Sequence, residues 1–166
     1  MSIGMSMYGR VAQKMKTKMM QTKRAPSARN SHEDEAPGAP PTPPRGILIV
    51  EDETSIRRLL VDVLSAVGYR IESVANGSLA LRILEDDPEI ELVLTDLRMP
   101  GMSGTEVAEW LARSRPEVKV VCMSGDPMPF HGALNRLLEL RLIDFLPKPF
   151  IPSQVVQLVK RLLEGN

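Results

Sequence analysis

Four apolar runs in this chain each stop at a polar residue, and that repeated ending constrains the fold more than any other feature. ILIV runs into Glu51 and Asp52, ELVLT into Asp96, VKVVCM into Ser124 and IDFLP into Lys148. From Arg45 onward such strand signals alternate with helical ones, the pattern of a parallel sheet covered by helices on both faces. Strands are predicted at residues 46–50, 70–74, 91–95, 118–123 and 143–146, with helices at about 54–66, 77–86, 104–113, 131–141 and 152–163 between and after them. The first helix carries Ile56, Leu59, Leu60, Val63 and Leu64 at spacings of three and four and ends at Gly68, a residue type that accepts a left-handed cap. The last carries Val155, Val156, Leu158, Val159, Leu162 and Leu163. Both present an apolar stripe to the sheet.

Residues at the carboxyl ends of neighbouring parallel strands meet on one edge, where open α/β sheets bind ligands. Glu51, Asp52 and Asp96 would therefore converge there with the Ser124 hydroxyl and the Lys148 ammonium. Three carboxylates repel one another unless a cation offsets the cost. Their hard oxygen donors suit Mg²⁺, with Mn²⁺ as the alternative. Asp52 is the expected direct ligand, while the longer Glu51 side chain overshoots a compact site and acts through water; Glu53 reads as an early helix residue. Asp96 has a further capacity, since a carboxylate that attacks a phosphoryl group becomes an aspartyl phosphate. Ser124 and Lys148 are placed to hold two of the transferring oxygens.

Four blocks now stand in order: ILIVEDE (47–53), LTDLRMPGMSG (94–104), VCMSGD (121–126) and FLPKPF (145–150). Together they resemble the signature blocks of the receiver domain of bacterial two-component response regulators, over about residues 45–164. The resemblance implies a five-stranded parallel sheet of order 2-1-3-4-5 with helices on both faces, the flavodoxin-like receiver fold. It assigns the metal-binding acidic pair to Glu51 and Asp52, the phosphorylated aspartate to Asp96, the switch hydroxyl to Ser124, the conserved lysine to Lys148 and the switch aromatic to Phe145. It adds the backbone carbonyl of Arg98 as a metal ligand and a cis bond between Lys148 and Pro149. The implied function is that of a phosphoacceptor, not a turnover enzyme. A histidine kinase or phosphotransfer protein donates the phosphoryl group, and the face around residues 131–163 then gains affinity for a downstream protein or another copy of the chain. Three features depart from the family pattern. Gly125 stands where alanine is frequent, Arg141 and Leu142 replace a glycine and a small residue, and Phe145 lacks the hydroxyl of a tyrosine, so its switching would rest on packing alone. The proline- and glycine-rich DPMPFHG segment implies that the fourth helix starts late or is short.

Charge divides the chain. Residues 1–30 hold seven basic side chains and no acidic one, and EAPGAPPTPP follows at 35–44. Such a stretch buries too little apolar surface to offset its ordering entropy. A flexible tail is expected at 1–44 and the receiver at 45–166, where 14 basic face 18 acidic residues. That negative balance argues against direct DNA binding by the folded part. The chain has no run of 18 apolar residues and no signal-like stretch, so no membrane association and a cytoplasmic location are expected. Cys122, within an apolar run, reads as a buried small hydrophobe. His32 and His131 are poorly placed as phosphoryl carriers. Two alternatives accompany the main reading: a receiver fragment of a hybrid kinase or longer regulator, and an aspartyl-phosphate phosphatase or phosphotransferase. The second would need another acid–base carboxylate near Asp96 and a substrate-covering cap.

Overall fold

Successive residues of each central strand face opposite apolar layers, and this division organises the domain. The computed structural model describes residues 44–126, 132–139 and 142–165. Its elements are β1 (Gly46–Val50), α1 (Thr54–Ser65), β2 (Arg70–Val74), α2 (Gly77–Asp86), β3 (Ile90–Asp96), α3 (Gly104–Ser114), β4 (Lys119–Ser124), α4 (Ala133–Glu139), β5 (Ile143–Pro147) and α5 (Pro152–Glu164). All strand pairings are parallel and the order is β2-β1-β3-β4-β5, as the resemblance implies. Ile47, Ile49, Leu92, Leu94, Val121 and Met123 pack with α1 and α5 through Leu60, Leu64, Val155 and Val159. Their neighbours Leu48, Val50, Val93, Val120 and Cys122 face the other way, onto Ala80, Leu84, Val107, Leu111 and Leu134 of α2, α3 and α4. Both faces are covered, which is why β1, β3 and β4 read as near-continuous apolar runs. Burial of Cys122 pushes its thiol up to about 12, so it packs as a hydrophobe.

Two strand ends differ slightly from the prediction, and the difference matters for the site. Asp96 and Ser124 are the last residues of β3 and β4, paired in register with Met123 and Pro147. The ladder itself therefore holds their backbones. Glu53 stands at the N-cap of α1 rather than within its first turn. Gly68 has φ of +101° beyond the end of α1, the conformation a left-handed cap demands. The described part of α4 has seven residues, in keeping with a late start after the DPMPFHG segment. The flanking residues 127–131, 140 and 141, residues 1–43 with most of the expected tail, and His32 and His131 lie outside the described residues. Within them, no helix is long and apolar enough to cross a membrane.

One side chain ties the α2–β3 turn to α3. Arg115, immediately after α3, donates to the carbonyl oxygens of Leu84, Asp87, Pro88 and Ile90, each at 3.1 Å, and to Glu117 at 3.0 Å. The carbonyls that end α2 have no intrahelical partner, and the planar guanidinium supplies one from a neighbouring element. Arg115→Met would leave those acceptors unmatched and should lower unfolding free energy by about 2–3 kcal/mol in urea melts. Arg113→Met, which removes an exposed pair with Glu109 at 3.8 Å, should cost about 0.5 kcal/mol or less. Equal costs would show that Arg115 is no more than a surface arginine.

Candidate functional site

The strand ends deliver their side chains to one cluster. Lys148, one residue past β5, places Nζ 2.8 Å from Glu51 Oε2 and 2.5 Å from Asp96 Oδ2. Its backbone N–H donates to the Ser124 carbonyl at 2.8 Å, and its peptide bond to Pro149 is cis. One lysine thereby joins the loops after β1, β3 and β5. Glu51 is fully buried and Asp96 is 8% exposed, so neither carboxylate has much water to share its charge. Burial raises the Glu51 pKa, and the negative charge of Asp96 adds to the rise; the hydrogen bond and charge of Lys148 oppose it. Burial alone would lower Lys148, but its hydrogen bonds to Asp96 and Glu51 and their charges outweigh that effect and raise it. The lysine is therefore a fixed ammonium.

The other groups are held by local backbone contacts. Asp96 Oδ1 accepts the Arg98 N–H at 2.9 Å, Glu51 Oε1 accepts the Glu53 N–H at 3.3 Å, and Ser124 Oγ accepts the Asp126 N–H at 3.0 Å. Asp52 is exposed at the rim. Gly104 starts α3 directly against the nucleophile candidate's backbone, where an added Cβ would lie 2.1 Å from the Asp96 carbonyl oxygen and 2.5 Å from Thr95 Oγ1. No side chain fits there, so glycine is a packing requirement. Gly125 is different: its added Cβ would meet only Lys148 Cβ at 4.0 Å, and alanine has room. Met99 is buried and Met102 packs on the α2–α3 layer, so both methionines serve the loop's packing. Phe145 is half-buried and packs on that same layer, beside Cys122 in the strand register.

Glu51, Asp52 and Asp96 each offer a carboxylate oxygen, all within 4.8 Å of one another. Two oxygens on opposite sides of a magnesium-sized ion stand about 4.2 Å apart and adjacent ones about 3 Å, so the set is close to what such an ion requires. The donors are all hard oxygens, and three carboxylates against one ammonium leave a formal charge of −2. The cluster is capable of coordinating a divalent metal. Of the residues expected at the site, the structure places Glu51, Asp52, Asp96 and Lys148 in one cluster and Ser124 at the adjoining strand end, where its carbonyl accepts from the Lys148 N–H. Sequence reasoning missed Arg57, whose guanidinium donates to the carbonyls of Glu51 at 2.6 Å and Asp52 at 3.2 Å and to Thr54 Oγ1 at 3.3 Å. The available signal was an arginine six residues after Glu51, on the first turns of a helix that begins at the site.

With this geometry established, comparison with known proteins decides the family. The response regulator receiver domain family matches residues 47–160. The chain belongs to that family. The rice (Oryza sativa subsp. indica) two-component response regulator ORR11 is 34% identical over 128 residues, spanning 76% of this chain and 83% of its own length. The sensor kinase CckA of Brucella abortus is 35% identical over 120 residues, which span 71% of this chain but only 12% of that protein. Among solved structures, the response regulator protein TrrA of Thermotoga maritima, in complex with Mg(2+)-BeF, is 30% identical with a TM-score of 0.60, covering 72% of this chain and 99% of that one. The receiver domain described here is a phosphoacceptor with the family's conformational-switch role, and its chemistry is the gain and loss of that phosphoryl group.

The buried Glu51 carboxylate yields a test of the ammonium's part. A folded-state pKa raised above the ordinary 4.5 means that the unfolded chain releases its proton first as pH rises, so stability falls from about that pH upward. The Lys148 ammonium limits this loss and stays charged well past neutrality. Lys148→Met removes it, and the destabilisation should be about 3 kcal/mol at pH 8 and should shrink as the pH is lowered, because protonation of Glu51 removes the charge left without a partner. Urea melts over that pH series measure this; a cost independent of pH would contradict the role assigned to the ion pair.

Proposed function

We propose that Asp96 is the phosphoryl acceptor of a two-component pathway, receiving the group from a phosphohistidine on a histidine kinase or phosphotransfer protein. The observation that carries this reading is the position of Asp96 between the acidic pair and the Lys148 anchor, on the last residue of β3. One Asp96 oxygen attacks phosphorus as the phosphorus–nitrogen bond to imidazole breaks, and the leaving electron pair returns to the imidazole nitrogen. Lys148 and the Ser124 hydroxyl then hold phosphoryl oxygens, while the Arg98 N–H steadies the carboxylate. Mg²⁺ is the proposed ion, supported by the all-oxygen donor set and by the similarity to TrrA, which was solved with Mg(2+)-BeF. Asp52, Asp96 and the Arg98 carbonyl would hold it directly and Glu51 through water, and it would supply charge neutralisation at the transferring group. Glu51, already held by Lys148, would act from behind this shell, and Mn²⁺ fits the same donors.

Water attacking the acyl phosphate returns the free carboxylate and inorganic phosphate, so the signal resets. Between those events Ser124 moves toward the phosphoryl group and Phe145 fills the space behind it, a shift between two existing conformations. The residue 131–163 face then binds a downstream protein or a second copy of the chain. The match confined to 12% of CckA favours a second reading, in which a receiver like this one works as a module of a larger kinase.

The test is intact-protein mass after treatment with acetyl phosphate and Mg²⁺. The parent should gain one phosphoryl group, Asp96→Asn none, and Asp52→Asn should react at least about tenfold more slowly at limiting Mg²⁺. Full labelling of Asp96→Asn, or of the parent with the metal chelated, would overturn the assignment.

A further inference from the structure

Arg57 touches none of the reacting groups, yet its contacts are aimed at the backbone around Asp52, the exposed member of the carboxylate cluster. Its Nη1 donates to the carbonyls of Glu51 at 2.6 Å and Asp52 at 3.2 Å, and its Nη2 to Thr54 Oγ1 at 3.3 Å. Those two carbonyls belong to the peptide planes on either side of the Asp52 α-carbon. Each plane is rigid, so fixing both sets φ and ψ at Asp52 and with them the direction of its Cβ. The stem of Arg57 is itself anchored in α1, where its N–H donates to the Glu53 carbonyl at 2.9 Å. By contrast, Glu51 and Asp96 have their carboxylates positioned directly, through Lys148 and backbone N–H groups. Asp52 is exposed, and the held backbone on either side of it is what aims its side chain.

We infer that Arg57 is a positioning residue for the divalent cation, fixing the Asp52 carboxylate toward Asp96 by clamping both peptide planes that flank it. The inference rests on the proposed metal-dependent phosphoacceptor reading and adds to it the device that preorganises the cation's exposed ligand. The sign of the expected effect separates positioning from charge. An arginine close to a cation site repels the cation, so removing its charge alone should tighten metal binding. Removing the clamp should weaken it. Arg58, next along α1 and exposed, supplies the control: it carries the same charge without hydrogen bonds to the acidic loop.

The measurement is calorimetric titration of Mg²⁺ alone into the parent, Arg57→Met and Arg58→Met, with the amide resonances of Asp52 and Glu53 followed over the same range. Arg57→Met should raise the half-saturating Mg²⁺ concentration about tenfold. Labelling by acetyl phosphate should fall at limiting Mg²⁺ and recover at saturating Mg²⁺, and Arg58→Met should bind as the parent does or slightly more tightly. If Arg57→Met does not fold, Arg57→Gln, whose short single amide cannot reach both carbonyls, takes its place with the same expected direction. Unchanged or tighter Mg²⁺ binding in the folded Arg57 variant would overturn the inference, as would equal shifts in the Arg57 and Arg58 variants. Absence of Mg²⁺ binding by the parent would instead defeat the metal-dependent reading on which the inference stands, so the two failures are distinguishable.

Discussion

The ammonium of Lys148 lies between two carboxylates that the sheet has brought out of water, Glu51 after β1 and Asp96 at the end of β3. Without that cation, the fold would place a fully buried glutamate beside an aspartate that is 8% exposed, an arrangement whose cost rises steeply in a medium that screens poorly. The ammonium answers both at once and is itself tied by backbone to Ser124. The loops that must cooperate in phosphoryl transfer are thus held by one charge. This explains how a site with three acidic groups sits on a stable sheet. It also leaves the site with an excess of negative charge suited to a divalent ion.

Around that centre, rigidity and freedom are distributed unequally. Gly104 brings α3 against the Asp96 backbone so closely that no other residue fits, and the Ser103–Glu106 capping box fixes the helix start beside it. The acid-bearing loop after β1 is gripped by Arg57. On the other side, a Cβ at Gly125 would make only an ordinary contact with Lys148 among the described residues, and Phe145 is half-buried. The proposed ion ligands therefore sit on a tightly held backbone, while Phe145, proposed to move, is held by packing. A switch needs this contrast, because a ligand shifts an equilibrium only where two arrangements are both accessible.

Most of the architecture was legible from the order of residues. Strands buried on both faces must be apolar throughout, and helices packed on one side must repeat their apolar residues every three or four positions, so Ile47 to Val50 and Ile56 to Leu64 declare themselves. Because parallel strands share a direction, the polar residues that follow these runs had to meet at one edge. Glu51, Asp52, Asp96, Ser124 and Lys148 could be grouped for that reason alone.

Tertiary structure decided what those residues touch. The same reasoning could not say that Lys148 would divide itself between Glu51 and Asp96, since the partner of a flexible four-carbon ammonium depends on distances across three loops. Nor could it say what Arg57 or Arg115 would hold, since their fork-shaped donors act on backbone carbonyls that only the folded chain aligns. Gly104 was foreseen as a helix start, but the reason it must lack a side chain, the Asp96 carbonyl 2.1 Å from where a Cβ would stand, exists only after α3 returns to the sheet. Hydrophobic periodicity is a local property and is written along the chain. Hydrogen bonds between distant backbone and side-chain groups are set by packing, and the geometry of the site is made of these.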